Sequence, residues 1–241
     1  MAKPPPIPLY PEAEAKRGPV MPWRTMGIWA AIFLLLASLT TIAVFWVKSN
    51  LTHAGYSSSL EHRQIIVRGE LLRIPENMIR FAEQRKAVTL SRIELVLHWP
   101  SGDGFSESKR AAFEDISADQ KLIFLSIGNR KMRHSMTERL APIYKALFDG
   151  QPRQGPAGLT LQGLKRGAGY DGEELALGAD GDLLWVARCQ LASGITPPTC
   201  LRDIHVGRRL SAQIRFPRKL LSEWRGIEKL IQERFFYFST R

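Results

Sequence analysis

Residues 27 to 47, GIWAAIFLLLASLTTIAVFWV, contain neither charge nor proline, and no other feature restricts the chain so strongly. At 1.5 Å per residue a helix of this length spans about 31 Å, the thickness of a hydrocarbon core of about 30 Å. A core helix of a soluble protein seldom stays apolar on every face for so long. Trp23 and Trp46 stand near the two ends, where indole rings favour the membrane interface. A cleaved signal peptide would carry about 7–15 apolar residues and end at a small-x-small site. This run is longer and continues into Val47-Lys48-Ser49-Asn50, so an uncleaved signal anchor is expected.

Flanking charge sets the expected orientation. Lys3, Lys16, Arg17 and Arg24 precede the span, whereas Lys48 stands alone after it until Arg63. Positive charge is retained on the cytoplasmic side. The N-terminus should face the cytoplasm and residues 48 to 241 the other side, which in a bacterium is the periplasm. Gly27/Ala31 and Ala37/Thr41 are small-xxx-small pairs that would let two spans approach closely. Ordinary membrane-helix composition explains them as well, so a homo-oligomer through this helix is the secondary expectation.

Four regions follow: a tail at 1–26, the transmembrane helix at 27–47, a stalk at 48–62 and one exported domain at 63–241. The tail holds Pro4, Pro5, Pro6, Pro8, Pro11, Pro19 and Pro22. Proline lacks the amide donor and fixes φ, so an extended segment is expected there, a solvated leader rather than a docking peptide. Gly55-Tyr56-Ser57-Ser58-Ser59 has the composition of a short linker.

The exported part is long enough for one domain with a real core. Alternation of apolar and polar residues marks half-buried strands. Ile93, Leu95, Leu97 and Trp99 share a face against Glu94 and His98. Leu122 to Ile127 reads as a central strand, and Leu159 and Leu161 begin another. Asp180-Gly181 between two apolar runs signals a hairpin. Ile204, Val206, Leu210, Ala212, Ile214 and Phe216 share a face and predict one long strand from 204 to 216. Ser135-x-x-Glu138 fits a capping box ahead of a helix ending at Gly150, with Pro142 as its complication. Pro75 to Lys86 is a weaker helix candidate. Pro217 opens a C-terminal amphipathic helix with Leu220, Leu221, Trp224, Ile227, Leu230, Ile231 and Phe235 on its apolar stripe. The sum is an α+β domain on an antiparallel sheet. Phe235-Phe236-Tyr237-Phe238 should pack onto that sheet rather than form an exposed patch.

Chemistry is sparse. Cys189 and Cys200 flank a loop with Gly194, Pro197 and Pro198, and in an oxidising compartment they should form a disulfide. No C-x-x-C, nucleotide-binding, metalloprotease or nucleophile-elbow motif occurs, so no cofactor, no metal and no catalytic residue is expected. Asp203, His205 and Ser211 form a triad only in imagination, because any polar strand face offers such a set. The acids Asp171, Glu173, Glu174, Asp180 and Asp182 fail as a calcium loop: Leu175 occupies a ligand position and Ala176 stands where glycine is needed.

The net charge of +11 is unevenly placed, −1 over residues 151–201 and +6 over 202–241. Arg202, Arg208, Arg209, Arg215, Arg218 and Lys219 are therefore the candidate contacts for an anionic surface or partner. Nucleic acid is not expected, since no recognition motif is present. The rival is neutralisation of the cluster by Glu223 and Glu228.

Ile74-Pro75-Glu76-Asn77-Met78-Ile79-Arg80-Phe81, His98-Trp99-Pro100, Arg188-Cys189, Cys200-Leu201-Arg202-Asp203-Ile204-His205, Arg215-Phe216-Pro217 and Trp224 carry a resemblance. Over most of residues 65 to 230 the chain resembles uncharacterised single-pass, membrane-anchored periplasmic proteins of alphaproteobacteria. The resemblance implies an inner-membrane protein facing the periplasm and brings no activity with it. Together these readings predict a binding or scaffolding module of the cell envelope rather than an enzyme. Its partners would be the lipid bilayer and an envelope protein or anionic polymer. A hydrolase of envelope polymers and a purely structural tether are the alternatives.

Overall fold

The computed structural model describes residues 23–52, 55–117, 119–192 and 196–239. The proline-rich stretch at 1–22 and Gly194 lie outside them. The chain divides into two compact units, Met1–Thr52 and His53–Arg241. In the first, helix α1 (Trp23–Thr52) runs beyond the apolar stretch at both ends. None of the window Gly27–Val44, mean hydropathy 2.2, is buried. By length and composition this helix is long and apolar enough to cross a membrane.

In the second unit, β1 (His62–Val67) and β2 (Glu70–Pro75) form a hairpin, and β3 (Thr89–Leu90) adds to β1 in parallel. Two short helices, α2 (Ala82–Lys86) and α3 (Arg110–Glu114), lie in the connections. The large sheet is built from β4 (Arg92–His98), β5 (Leu122–Asn129), β6 (Phe148–Gln154), β7 (Thr160–Leu164), β8 (Glu173–Asp180), β9 (Leu183–Gln190), β10 (Thr199–Val206) and β11 (Leu210–Pro217). Its order is β4-β5-β11-β10-β9-β8-β7-β6, antiparallel throughout. Helix α4 (Trp224–Ser239) closes the chain. The α+β class, the N-terminal apolar helix, the antiparallel sheet and the C-terminal helix are all present.

One core holds these layers together. Ile93, Leu95, Ile123, Leu125, Ala212, Ile214 and Phe216 on one face of the sheet meet Ile65 and Ile74 of the small sheet and Trp224, Ile227, Ile231 and Phe238 of α4. Within α4, Phe235 and Phe238 are buried, whereas Phe236 and Tyr237 face outward. The helical period divides the aromatic run: Phe235 and Phe238, three residues apart, fall on the face that packs, and Phe236 and Tyr237 fall outside it.

Three local expectations change. The strand expected from 204 to 216 is a hairpin that turns at Gly207-Arg208-Arg209, with Gly207 at φ +57°. The three-residue turn keeps odd and even residues on their original faces, so the alternation looks unbroken in the sequence. The Glu70 carboxylate accepts hydrogen bonds from the Arg208 and Arg209 amides and fixes the turn. The helix expected after Ser135 is a run of turns that ends in a short 3-10 helix, Tyr144–Leu147. The capping box forms in both directions, Ser135 N to Glu138 Oε2 at 2.6 Å and Glu138 N to Ser135 Oγ at 3.4 Å. Pro142 cannot donate to the Glu138 carbonyl, though, and Phe148 to Gln154 continue as a strand. In the stalk region, α1 reaches Thr52, while Tyr56 stacks on Phe105 at 5.4 Å and Ser57 bonds Glu76 at 2.9 Å. An aromatic ring with a pocket to fill anchors a stretch whose serines alone would leave it solvated.

The large sheet is split. Strands β10 and β11 share eight paired residues, as do β8 and β9, but β9 and β10 share two, Cys189↔Cys200 and Arg188↔Leu201. Beyond them the strands diverge, and the segment 131–147 enters the gap. The Met136 amide bonds the Asp203 carbonyl at 3.4 Å, and the Arg202 guanidinium bonds the Val186 carbonyl at 2.9 Å. A side chain and a loop thus satisfy polar groups that a continued ladder would have paired.

Candidate functional site: a basic groove at the split in the sheet

The second face of β4, β5, β11 and β10 is only partly covered. At one end Val96, Phe105, Phe113 and Leu122 form a small apolar cluster. At the other, Met136, Leu140 and Tyr144 of the inserted segment pack on Leu175 and Val186. Between the two covers lies a trough with two adjoining cavities, about 260 and about 360 Å³, which share Arg92, Ser126, Leu201 and Gln213.

Strand register builds the floor. One cross-strand row reads Glu94, Ser126, Gln213, Asp203, and the next reads Arg92, Gly128, Ser211, His205. A third row places Phe124 beside Arg215 and Leu201. Gly128 and Ser211 are small, so the second row sinks between the long side chains of Arg92 and His205. Period-two alternation sends these residues outward while their neighbours fill the core.

Six Lys and Arg residues line the two cavities: Arg80, Arg92, Lys131, Arg139, Arg188 and Arg215, against the two carboxylates Glu94 and Asp203. Arg139 is paired with Asp203, and Arg188 with Glu173 at 2.6 Å. Glu94 accepts from Ser126 Oγ at 2.8 Å and stands 3.9 Å from Arg92. Arg80 lies over the rings of Phe81 and Phe124, 5.1 Å from each centroid. Lys131 and Arg215 are exposed and have no carboxylate partner among the described residues. Burial pushes the Tyr144 hydroxyl up, so this ring enters the groove as a neutral donor. The Ser135 amide, with the Ser135 hydroxyl, holds the Glu138 carboxyl below its ordinary range. Glu138 is thus an anion 3.7 Å from His205 Nδ1.

Asp203, His205 and Ser211 do share this groove, but no hydrogen bond among the described residues links them. Asp203 faces Arg139, and His205 faces Glu138. A hydroxyl is activated by a base within hydrogen-bond reach, with a third group orienting that base. The arrangement offers cation and amide contacts to a bound anion instead. No group of three or more His, Cys, Asp or Glu among the described residues could hold a metal ion.

The sequence-derived basic cluster disperses in space. Arg202 leaves the surface altogether: it is 4% exposed, with Glu228 accepting from Nε at 3.0 Å and Trp185 beneath it at 5.5 Å. The neutralisation weighed for Glu228 is realised at this one residue. Arg218 bonds Glu174 and the Gln190 carbonyl, and Lys219 meets Asp119 at 3.0 Å. Arg208 and Arg209 sit at the tip of the hairpin. Of the six, Arg215 lies in the groove. Arg80, Arg92, Lys131, Arg139 and Arg188 were missed because they are far apart in sequence. The alternation of β4, which sets Arg92 and Glu94 opposite Ile93 and Leu95, was the available signal.

Cys189 and Cys200 are joined by a disulfide, with Cα atoms 4.0 Å apart, at the point where the sheet divides. They are direct cross-strand neighbours on β9 and β10. The acids set aside as a calcium loop serve as ion-pair partners: Glu174 for Arg153 and Arg218, Glu173 for Arg188, and Asp180 for Arg225.

The class defined by these features is an α+β domain on a split antiparallel sheet, preceded by an apolar helix long enough to cross a membrane. Two solved structures are similar to this chain. One is Smlt3025, an immunity protein of the Stenotrophomonas maltophilia type IV secretion system, with a TM-score of 0.50 and 14% identity over 73% of this chain and 92% of that one. The other is FrpD, an iron-regulated outer membrane lipoprotein of Neisseria meningitidis, with a TM-score of 0.44 and 12% identity over 74% of this chain and 94% of that one. No protein-family model and no curated protein matches the chain.

Proposed function

We propose that the chain is a single-pass inner-membrane protein, N-terminus in the cytoplasm, whose periplasmic α+β domain is a binding or scaffolding module. The observation that carries this reading is the groove. One face of the sheet is filled by α4 and the small sheet, while the other keeps a recessed strip lined by six Lys and Arg residues against two carboxylates, with Lys131 and Arg215 meeting no carboxylate among the described residues. Clustered like charges repel and lower stability, so their collection in a concave strip favours a bound anionic partner. The flanking charge asymmetry supports the orientation, and the resemblance to alphaproteobacterial membrane-anchored proteins fits the same place in the cell. Smlt3025 is named as an immunity protein of a secretion system, a non-enzymatic description; at 14% identity its likeness bears on architecture alone. The hydrolase alternative is weakened by the Arg139–Asp203 pair, which occupies the carboxylate a triad would need.

Two experiments test the reading. A phosphatase fused after Arg241 should be active, and the mature mass should include residues 1–47; an inactive fusion overturns the orientation. A photo-crosslinking amino acid at Gln213 should give a discrete adduct in cells, lost when Arg215 is replaced by Glu and absent when the probe sits at Lys229 on the exposed side of α4. Without an adduct specific to Gln213, the groove is not a docking site.

A further inference from the structure

The chemistry of the groove narrows what it holds. We infer that it seats an extended acidic segment of a partner protein, whose carboxylates pair with Arg92 and Arg215; the inference rests on the reading of this domain as a binding module.

Arg215 has no carboxylate partner among the described residues, and Arg92 has Glu94 only at 3.9 Å. A guanidinium presents parallel N–H donors whose spacing matches the two oxygens of a carboxylate. Between these two arginines lie Ser126 and Gln213, in register on β5 and β11. The Ser126 hydroxyl gives its proton to Glu94 and keeps lone pairs for a peptide N–H, while the Gln213 carboxamide can both donate and accept.

The same floor disfavours other anions. Glu94 and Asp203 stand in the central row, so a uniform polyanion would meet like charge there, whereas a segment of mixed composition can set a neutral residue opposite them. A flat bilayer cannot reach a floor that sinks at Gly128 and Ser211 between two raised covers. The dimensions also agree. From Ser211 to Arg215 the strand rises about 13 Å, and from β4 to β10 three strand spacings give about 14 Å. The strip therefore accommodates about four to six extended residues.

The test uses the full-length protein in nanodiscs and a labelled dodecapeptide of alternating glutamate and serine. The peptide should bind, and binding should weaken as salt rises, because exposed charges are screened over about 8–10 Å at physiological ionic strength. Replacing Arg92 and Arg215 together by Glu should lower affinity at least about tenfold. The milder Arg92→Gln/Arg215→Gln pair should give an intermediate loss, with the thermal transition unchanged in both. Lys229→Glu should leave affinity within about twofold. The inference fails if the wild-type protein does not bind the peptide, or if the double variants bind it as well as wild type does. It also fails if inorganic polyphosphate or phosphatidylglycerol vesicles of equal charge bind more tightly and lose that binding to the same variants. In each case a Gln213 adduct in cells would still support a binding module, so the two readings fail separately.

Discussion

On the packed face of β10 the Arg202 guanidinium is enclosed by Glu228, Thr137, the Val186 carbonyl and the Trp185 ring. On the open face of the adjoining strand β11, Arg215 projects into a groove and meets no carboxylate among the described residues. Both arginines belong to one basic stretch of sequence. The first has become part of the interior, where its charge answers a carboxylate and closes a gap between strands. The second keeps its charge available. Net charge along a sequence thus says little about charge at a surface until the faces of each strand are known.

The sharpest way to break this comparison is at the interior pair. Replacing Arg202 by Met strands a Glu228 carboxylate that is 6% exposed, and should cost about 3–5 kcal/mol in equilibrium unfolding. Arg202→Met combined with Glu228→Leu should recover most of that loss. If the single change is nearly neutral, Arg202 is not the interior group described here.

The disulfide comes next. Replacing Cys189 and Cys200 by Ala should lower stability by about 3 kcal/mol, the expected effect of closing a short loop. Thiol labelling of the unfolded, unreduced protein should find no free cysteine; two free thiols would contradict the bond.

Glu76 lies between the extremes. Burial alone would raise its carboxyl, but hydrogen bonds from Arg63 and Ser57, with the charges of Arg63 and Arg85, outweigh it and hold the carboxyl below its ordinary value of 4.5. A carboxyl depressed in the folded state stabilises the fold above its unfolded pKa and loses that contribution as pH falls through its folded pKa. Glu76→Gln should therefore cost about 1–2 kcal/mol at neutral pH, and the gap to wild type should narrow on acidification below about pH 4.5. A gap that stays constant to low pH would exclude the ionised form as its source.

The smallest effect belongs to the open face. Arg215→Gln should change stability by less than about 0.5 kcal/mol, read from the same unfolding curves. A loss comparable to that of Arg202→Met would mean that Arg215 supports the fold, and the contrast between the faces would disappear.

Much of the architecture was legible because it rests on local sequence pattern. The apolar helix and the strand at 122–127 announce themselves through continuous apolar runs, and the helix after Pro217 through its apolar stripe. The turn at 207–209 was not legible, since an odd turn length preserves alternation and its stabilising carboxylate, Glu70, lies on another sheet. The capping box at Ser135 was read correctly in its hydrogen bonds and wrongly in its consequence, because Pro142 removes a donor seven residues later. The groove was hardest to foresee. Arg80, Arg92, Lys131 and Arg188 meet only through strand order, and nothing in a linear charge profile records which strands become neighbours.

The split between β9 and β10 gives the sheet the mechanics of two plates riveted at a single corner. With Cys189–Cys200 as the rivet, a small rotation of one plate moves the far end of the gap much more than the near end, as a lever arm requires. Amide exchange should fall off along β10 toward Cys200 and quicken toward Val206.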